Sequence, residues 1–63
     1  MKVYYNKEFL QEVKDMDEAW SVAVNFLHGN GRKPDYYRTW RDSERNCLVM
    51  DFGSWTDFIY FYD

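Results

Sequence analysis

Cys47 is the only cysteine among 63 residues, so no intrachain disulfide can hold this chain together. A domain of this length buries only about 60% of the surface that its unfolded chain exposes, and very small domains commonly depend on a disulfide, a metal or a partner. With a single His beside the single Cys, a structural zinc site is equally out of reach. Dense packing and association remain.

The material for dense packing is aromatic. Phe, Tyr and Trp make up 22% of the residues, and each ring can bury ~150–250 Å², so a small core reaches useful area with few side chains. Such a chain is expected to fold rather than stay disordered. The opening Met-Lys-Val-Tyr-Tyr-Asn-Lys-Glu has no apolar leader and no run is long enough to span a bilayer, so a soluble, cytoplasmic protein with reduced Cys47 and no membrane partner is expected.

Charge is distributed unevenly. Residues 1–18 carry three Lys against five acids, residues 19–31 carry no Asp, Glu, Lys or Arg, and residues 32–45 carry five basic side chains against Asp35, Asp42 and Glu44. The remainder holds only Asp51, Asp57 and Asp63. The net charge of −3 disfavours non-specific binding to nucleic acid.

A helix is predicted at about 16–28. Met16, Ala19, Trp20, Ala23, Val24 and Leu27 form an amphipathic stripe with Trp20 as its central anchor, Asp15 is placed to cap the first turn, and Glu18 completes a capping-box pattern. Gly29-Asn30-Gly31 ends the helix and Pro34 prevents its resumption.

From residue 35 onward the pattern is that of strands. Tyr36–Asp42, Asn46–Phe52 and Asp57–Tyr62 are rich in aromatic and β-branched residues, and the links Ser43-Glu44-Arg45 and Gly53-Ser54-Trp55-Thr56 are short enough to require antiparallel hairpins. Pairing Trp40 with Leu48 and Arg38 with Met50, then Met50 with Ile59 and Leu48 with Phe61, segregates the side chains. Trp40, Leu48, Met50, Phe52, Ile59 and Phe61 then face the helix. Tyr37, Thr39, Arg41, Cys47, Val49, Asp51, Phe58, Tyr60 and Tyr62 face away. Lys2–Tyr5 reads as a further strand, and Phe9, Leu10 and Val13 either extend the helix backwards or, preferably, form a strand hairpinned at Asn6-Lys7, because Asp15 and Asp17 fit poorly inside a continuous helix. The expected fold is α+β: one domain, residues 1–63, with one helix on a three- or four-stranded antiparallel sheet in the order β-α-β-β-β.

Motifs for chemistry are sparse. A His28–Cys47 dyad is less economical than a helix-terminal histidine and a packed thiol, and Asp51 with Asp57 reads as a pair of solvated loop flanks rather than paired catalytic carboxylates. Asp15-x-Asp17-Glu18 lacks the glycine that a calcium loop requires and is better read as a helix cap. Gly29-Asn30-Gly31-Arg32-Lys33 follows a helix, so the dipole points the wrong way for a phosphate. Stacking of single-stranded bases on the outward rings is disfavoured by Asp51, Asp57 and Asp63. No enzyme activity, cofactor or metal is expected.

The segments Asp17-Glu-Ala-Trp-Ser-Val-Ala-Val-Asn-Phe-Leu27, Tyr36-Tyr-Arg-Thr-Trp-Arg-Asp42 and Val49-Met-Asp-Phe-Gly-Ser-Trp-Thr-Asp-Phe-Ile59 loosely resemble small uncharacterised accessory proteins of phages and mobile elements in Gram-positive bacteria. The resemblance implies a short acidic protein that binds and inhibits or modulates a host enzyme or defence protein, in some cases by mimicking DNA. Independently, one helix can cover only one side of a sheet, and a large uncovered apolar patch marks an interface. Both lines lead to a non-enzymatic protein-binding module, with Tyr37, Arg41, Val49, Asp51, Asp57, Phe58, Tyr60 and Tyr62 as the candidate contact residues. Two other readings compete: a homodimer using the same face, and a DNA mimic using Asp51, Asp57, Asp63, Glu8 and Glu12.

Overall fold

In the computed structural model of the chain, which describes residues 1–63, Asp15 is extended and its carboxylate accepts the Glu18 amide proton at 3.0 Å, opening helix α1 (Met16–Gly29). The Glu18 carboxylate reaches back to the Lys14 amide at 3.3 Å. At the other end Gly31 adopts φ +76°. The amide of Arg32 donates to the Leu27 carbonyl at 2.8 Å and that of Gly31 to the His28 carbonyl at 3.1 Å, which closes the helix as a Schellman motif. Ala19, Ala23 and Leu27 form its buried line. Trp20 is only half-buried and packs edge-on against Tyr37 at 5.3 Å, so it flanks the stripe rather than anchoring its centre.

The sheet has five strands: β1 (Lys2–Tyr5), β2 (Glu8–Glu12), β3 (Arg38–Asp42), β4 (Cys47–Asp51) and β5 (Ile59–Tyr62). Their spatial order is β2-β1-β5-β4-β3, with every neighbouring pair antiparallel. The α+β class is as expected, and the strand preferred for the Phe9–Val13 segment is formed at Glu8–Glu12, so the sheet has five strands rather than three or four and the chain order is β-β-α-β-β-β rather than β-α-β-β-β. Residues 8–12 form that strand because Asn6, at φ +54°, lets the chain reverse into a hairpin. The two terminal strand groups join through β1 and β5, where Val3 opposes Phe61 and Tyr5 opposes Ile59.

The β4–β5 register has Leu48 opposite Phe61 and Met50 opposite Ile59, as the side-chain pattern requires. The β3–β4 register differs by one residue: Thr39 opposes Met50, Trp40 opposes Val49 and Arg41 opposes Leu48. Asn46 takes φ +55° and joins the loop, making it four residues long instead of three. The Asp42 carboxylate steadies this loop by accepting the amides of Glu44 at 3.0 Å and Arg45 at 3.2 Å. A one-residue slip exchanges the faces of a strand. Trp40 therefore lies on the face away from the helix, and Thr39 and Arg41 on the helix side.

The main core lies between α1 and the sheet, where Leu27, Met50, Ile59, Phe61 and Val3 are fully enclosed. No helix is long and apolar enough to cross a membrane.

Candidate functional site

Beyond the helix the sheet seals itself. Cys47, Val49 and Tyr60 are buried on the outer face among Tyr4, Phe58 and Tyr62, and the Arg45 guanidinium lies over the Tyr60 ring at 4.7 Å. A continuous line of rings runs from β2 at one edge of the sheet to β3 at the other, with no ring from β4. Its centroid steps are Phe9–Tyr4 5.4 Å, Tyr4–Tyr62 5.4 Å, Tyr62–Tyr60 6.4 Å, Tyr60–Phe58 6.4 Å and Phe58–Trp40 6.1 Å. Offset and edge-on contacts of this kind stabilise beyond the area that they bury.

This packing redistributes the residues expected to meet a partner. Val49 and Tyr60 are buried within the outer layer and present little surface. Tyr37 lies against Trp20 on the helix side, and Arg41, opposite Leu48, turns to Asn46 at 3.0 Å and Asp63 at 3.8 Å. Asp51 is 7% exposed, bridged to Arg38 at 2.9 Å and accepting the Gly53 amide at 2.9 Å. Asp57 accepts from Asn6 at 2.9 Å and Arg32 at 3.1 Å. Asn6, with smaller help from Tyr5 and Arg32, holds the Asp57 carboxyl below its usual range against the opposing effect of desolvation. Asp51 and Asp57 are thus neutralised separately rather than paired. Phe58 and Tyr62 remain half-exposed on the outer face.

The most exposed large side chain of the fold lies in the short link Gly53-Ser54-Trp55-Thr56 between two predicted strands. Trp55, in the β4–β5 loop, is 97% exposed. The loop that carries it is held at both ends: Asp51 accepts the Gly53 amide, and the Ser54 hydroxyl oxygen accepts the Asp57 amide at 3.0 Å and, at 3.4 Å, that of Thr56. Beside Trp55 runs a groove of about 430 Å³ lined by Tyr36, Arg38, Trp40, Asp51 and Phe58. Tyr36 is 57% and Trp40 38% exposed, and the Arg38 guanidinium lies 5.6 Å from the Trp40 ring centroid. Three of the four exposed large hydrophobic residues therefore converge on one groove. A signal for Trp55 was present in the sequence, since a tryptophan among Gly, Ser, Thr and Asp in a tight loop has no route into a core.

Chemically the groove offers ring faces, ring edges and one guanidinium that is already paired. His28 ends a helix on one side of the sheet while Cys47 is buried in the layer on the other. No family model, curated protein or solved structure matches the chain.

Proposed function

We propose that the protein is a non-enzymatic binding module that engages a protein partner through the Trp55 groove. The observation that carries this reading is Trp55 itself, exposed to 97% on a loop tied down by Asp51 and Ser54. Exposing an indole to water is unfavourable, and ordering the loop in advance lowers the entropy cost of docking it. Tyr36, Trp40 and Arg38 around it are the residue types that dominate binding energy at protein interfaces. The reading keeps the expected class of function and moves its centre from the middle of the outer sheet face to Trp55. A role in the cytoplasm, binding and modulating a host protein, accords with the resemblance to phage and mobile-element accessory proteins.

The competing readings have less support. A DNA mimic needs a row of free carboxylates, whereas Asp51 and Asp57 are each tied to an arginine and, of the acids expected in that row, only Glu8 and Glu12, on the edge strand β2, take part in no ion pair. A homodimer through the outer face would rest on five strands about 4.8 Å apart, only roughly 20 Å across, and much of its apolar surface is already used internally.

The test compares wild type with Trp55→Ala as immobilised baits in host lysate, followed by titration of the recovered protein. The variant should stay within about 0.5 kcal/mol of wild-type stability, because the side chain packs against almost nothing, and should weaken the partner by about 2 kcal/mol or more. Equal affinity of the two baits for every captured protein refutes the site.

A further inference from the structure

The outer face has a second half, remote from Trp55, where a groove of about 640 Å³ opens between Lys2, Tyr4, Lys7, Arg45 and Tyr62. We propose that this half binds single-stranded nucleic acid, a role beyond the protein-binding reading and resting on different side chains.

Charge is the first argument. The chain carries −3 overall, yet three cations converge on this groove. Lys2 and Lys7 take part in none of the ion pairs of the fold, although Glu12 stands opposite Lys2 across the β1–β2 pair. Arg45 is only loosely held by Asp42, at 3.7 Å. Of the carboxylates that speak against a phosphate backbone when only the sequence is considered, Asp51 is engaged by Arg38 and Asp57 by Arg32, while Asp63, in the groove lining, is held by Arg41 at 3.8 Å, no more closely than Arg45 is by Asp42, so the groove sets three cations against one carboxylate. An anionic occupant therefore meets two free ammonium groups and a guanidinium.

The rings are the second argument. Tyr4 meets Phe9 and Tyr62, each at 5.4 Å and edge-on, and Tyr4 and Tyr62, half-buried in the outer layer, both line the groove. Phe9, which meets the groove through its contact with Tyr4, is 51% exposed. An acidic peptide satisfies the cations but makes no use of these rings. A duplex keeps its base faces stacked internally, whereas an unpaired strand supplies phosphates and free bases together.

Fluorescence anisotropy of the full chain with a labelled oligothymidylate of about 12 nucleotides tests this. Binding should appear at low salt and weaken with a log–log slope of about −2, from three phosphate contacts at about −0.7 each. A duplex of equal length should bind at least about tenfold more weakly. Joint Lys2→Ala and Lys7→Ala replacement should lower affinity about tenfold or more, Phe9→Ala about fivefold or more, and Trp55→Ala should bind as wild type. All these side chains are exposed, and circular dichroism verifies that each variant is folded. Absence of binding at about 200 µM protein overturns the proposal. So does equal affinity for duplex or for labelled polyglutamate, or an unchanged Kd in the double lysine variant. Loss of protein capture by Trp55→Ala with oligonucleotide binding intact separates the two sites.

Discussion

Asn6 and Asp57 stand 51 residues apart in the chain and are joined by a hydrogen bond of 2.9 Å, from the Asn6 side-chain amide to a carboxylate oxygen of Asp57. The Asn6 side-chain oxygen also accepts the Phe58 amide at 3.0 Å, and the Asn6 amide donates to the Phe58 carbonyl at 2.9 Å. One residue in a two-residue turn thus clamps the N-terminal hairpin to the loop that carries Trp55. Asn6→Gly keeps the positive φ but loses the side-chain bonds, and should cost about 1–2 kcal/mol. Asn6→Ala should cost about 1 kcal/mol more, because a β-carbon disfavours the left-handed conformation. Chemical denaturation of both variants checks the order; equal stability of the two refutes the backbone part of the argument.

The same contact makes stability depend on acidity. The Asp57 carboxyl has a lowered pKa in the folded state, chiefly through the bond from Asn6. Its contribution is therefore fully present above the unfolded-state pKa, about 3.9, and is lost as pH falls through the folded value. The urea midpoint should drop as pH falls below about 4, and the Asp57→Asn variant should show a smaller drop. Identical pH profiles would remove Asp57 from the account.

Tyr60 lies opposite both Val49 and Tyr4 under the Arg45 guanidinium, 8% exposed. Truncation to alanine removes the centre of the outer layer and should destabilise by about 3 kcal/mol. For a domain this small that is a large part of the total. A Tyr60→Ala protein as stable as wild type would show that the outer layer contributes little.

Cys47 is fully buried beside Tyr62, and burial raises its thiol pKa, only partly offset by a hydrogen bond to Tyr62. The native thiol should stay protonated at neutral pH and react with an aromatic disulfide reagent far more slowly than in the presence of urea. Labelling at the same rate with and without denaturant would contradict the burial.

Local features of the fold were legible in the residues. Asp15, Gly31 and the spacing of Ala19, Ala23 and Leu27 bound the helix through interactions within a few positions of one another, and the β4–β5 register follows from alternation of Leu48, Met50, Ile59 and Phe61. The β3–β4 register was not legible, because it turned on whether Asn46 belongs to strand or loop. Period-two alternation cannot decide that when both faces of β4 are apolar, with Cys47 and Val49 on one and Leu48 and Met50 on the other.

The sequence by itself therefore determined the α+β class, the helix and its caps, the antiparallel hairpins and the concentration of aromatic residues, all of which depend on short-range propensity and periodicity. Tertiary structure alone decided that β1 pairs with β5, that the outer layer closes over Tyr60, and that Tyr36, Trp40 and Trp55 meet at one groove. It also decided which acids are neutralised and which lysines stay free. The physical reason is range: pairing between distant strands and between distant charges is set by which arrangement buries the most apolar surface while satisfying the buried polar groups, and that balance exists only once the whole chain is assembled.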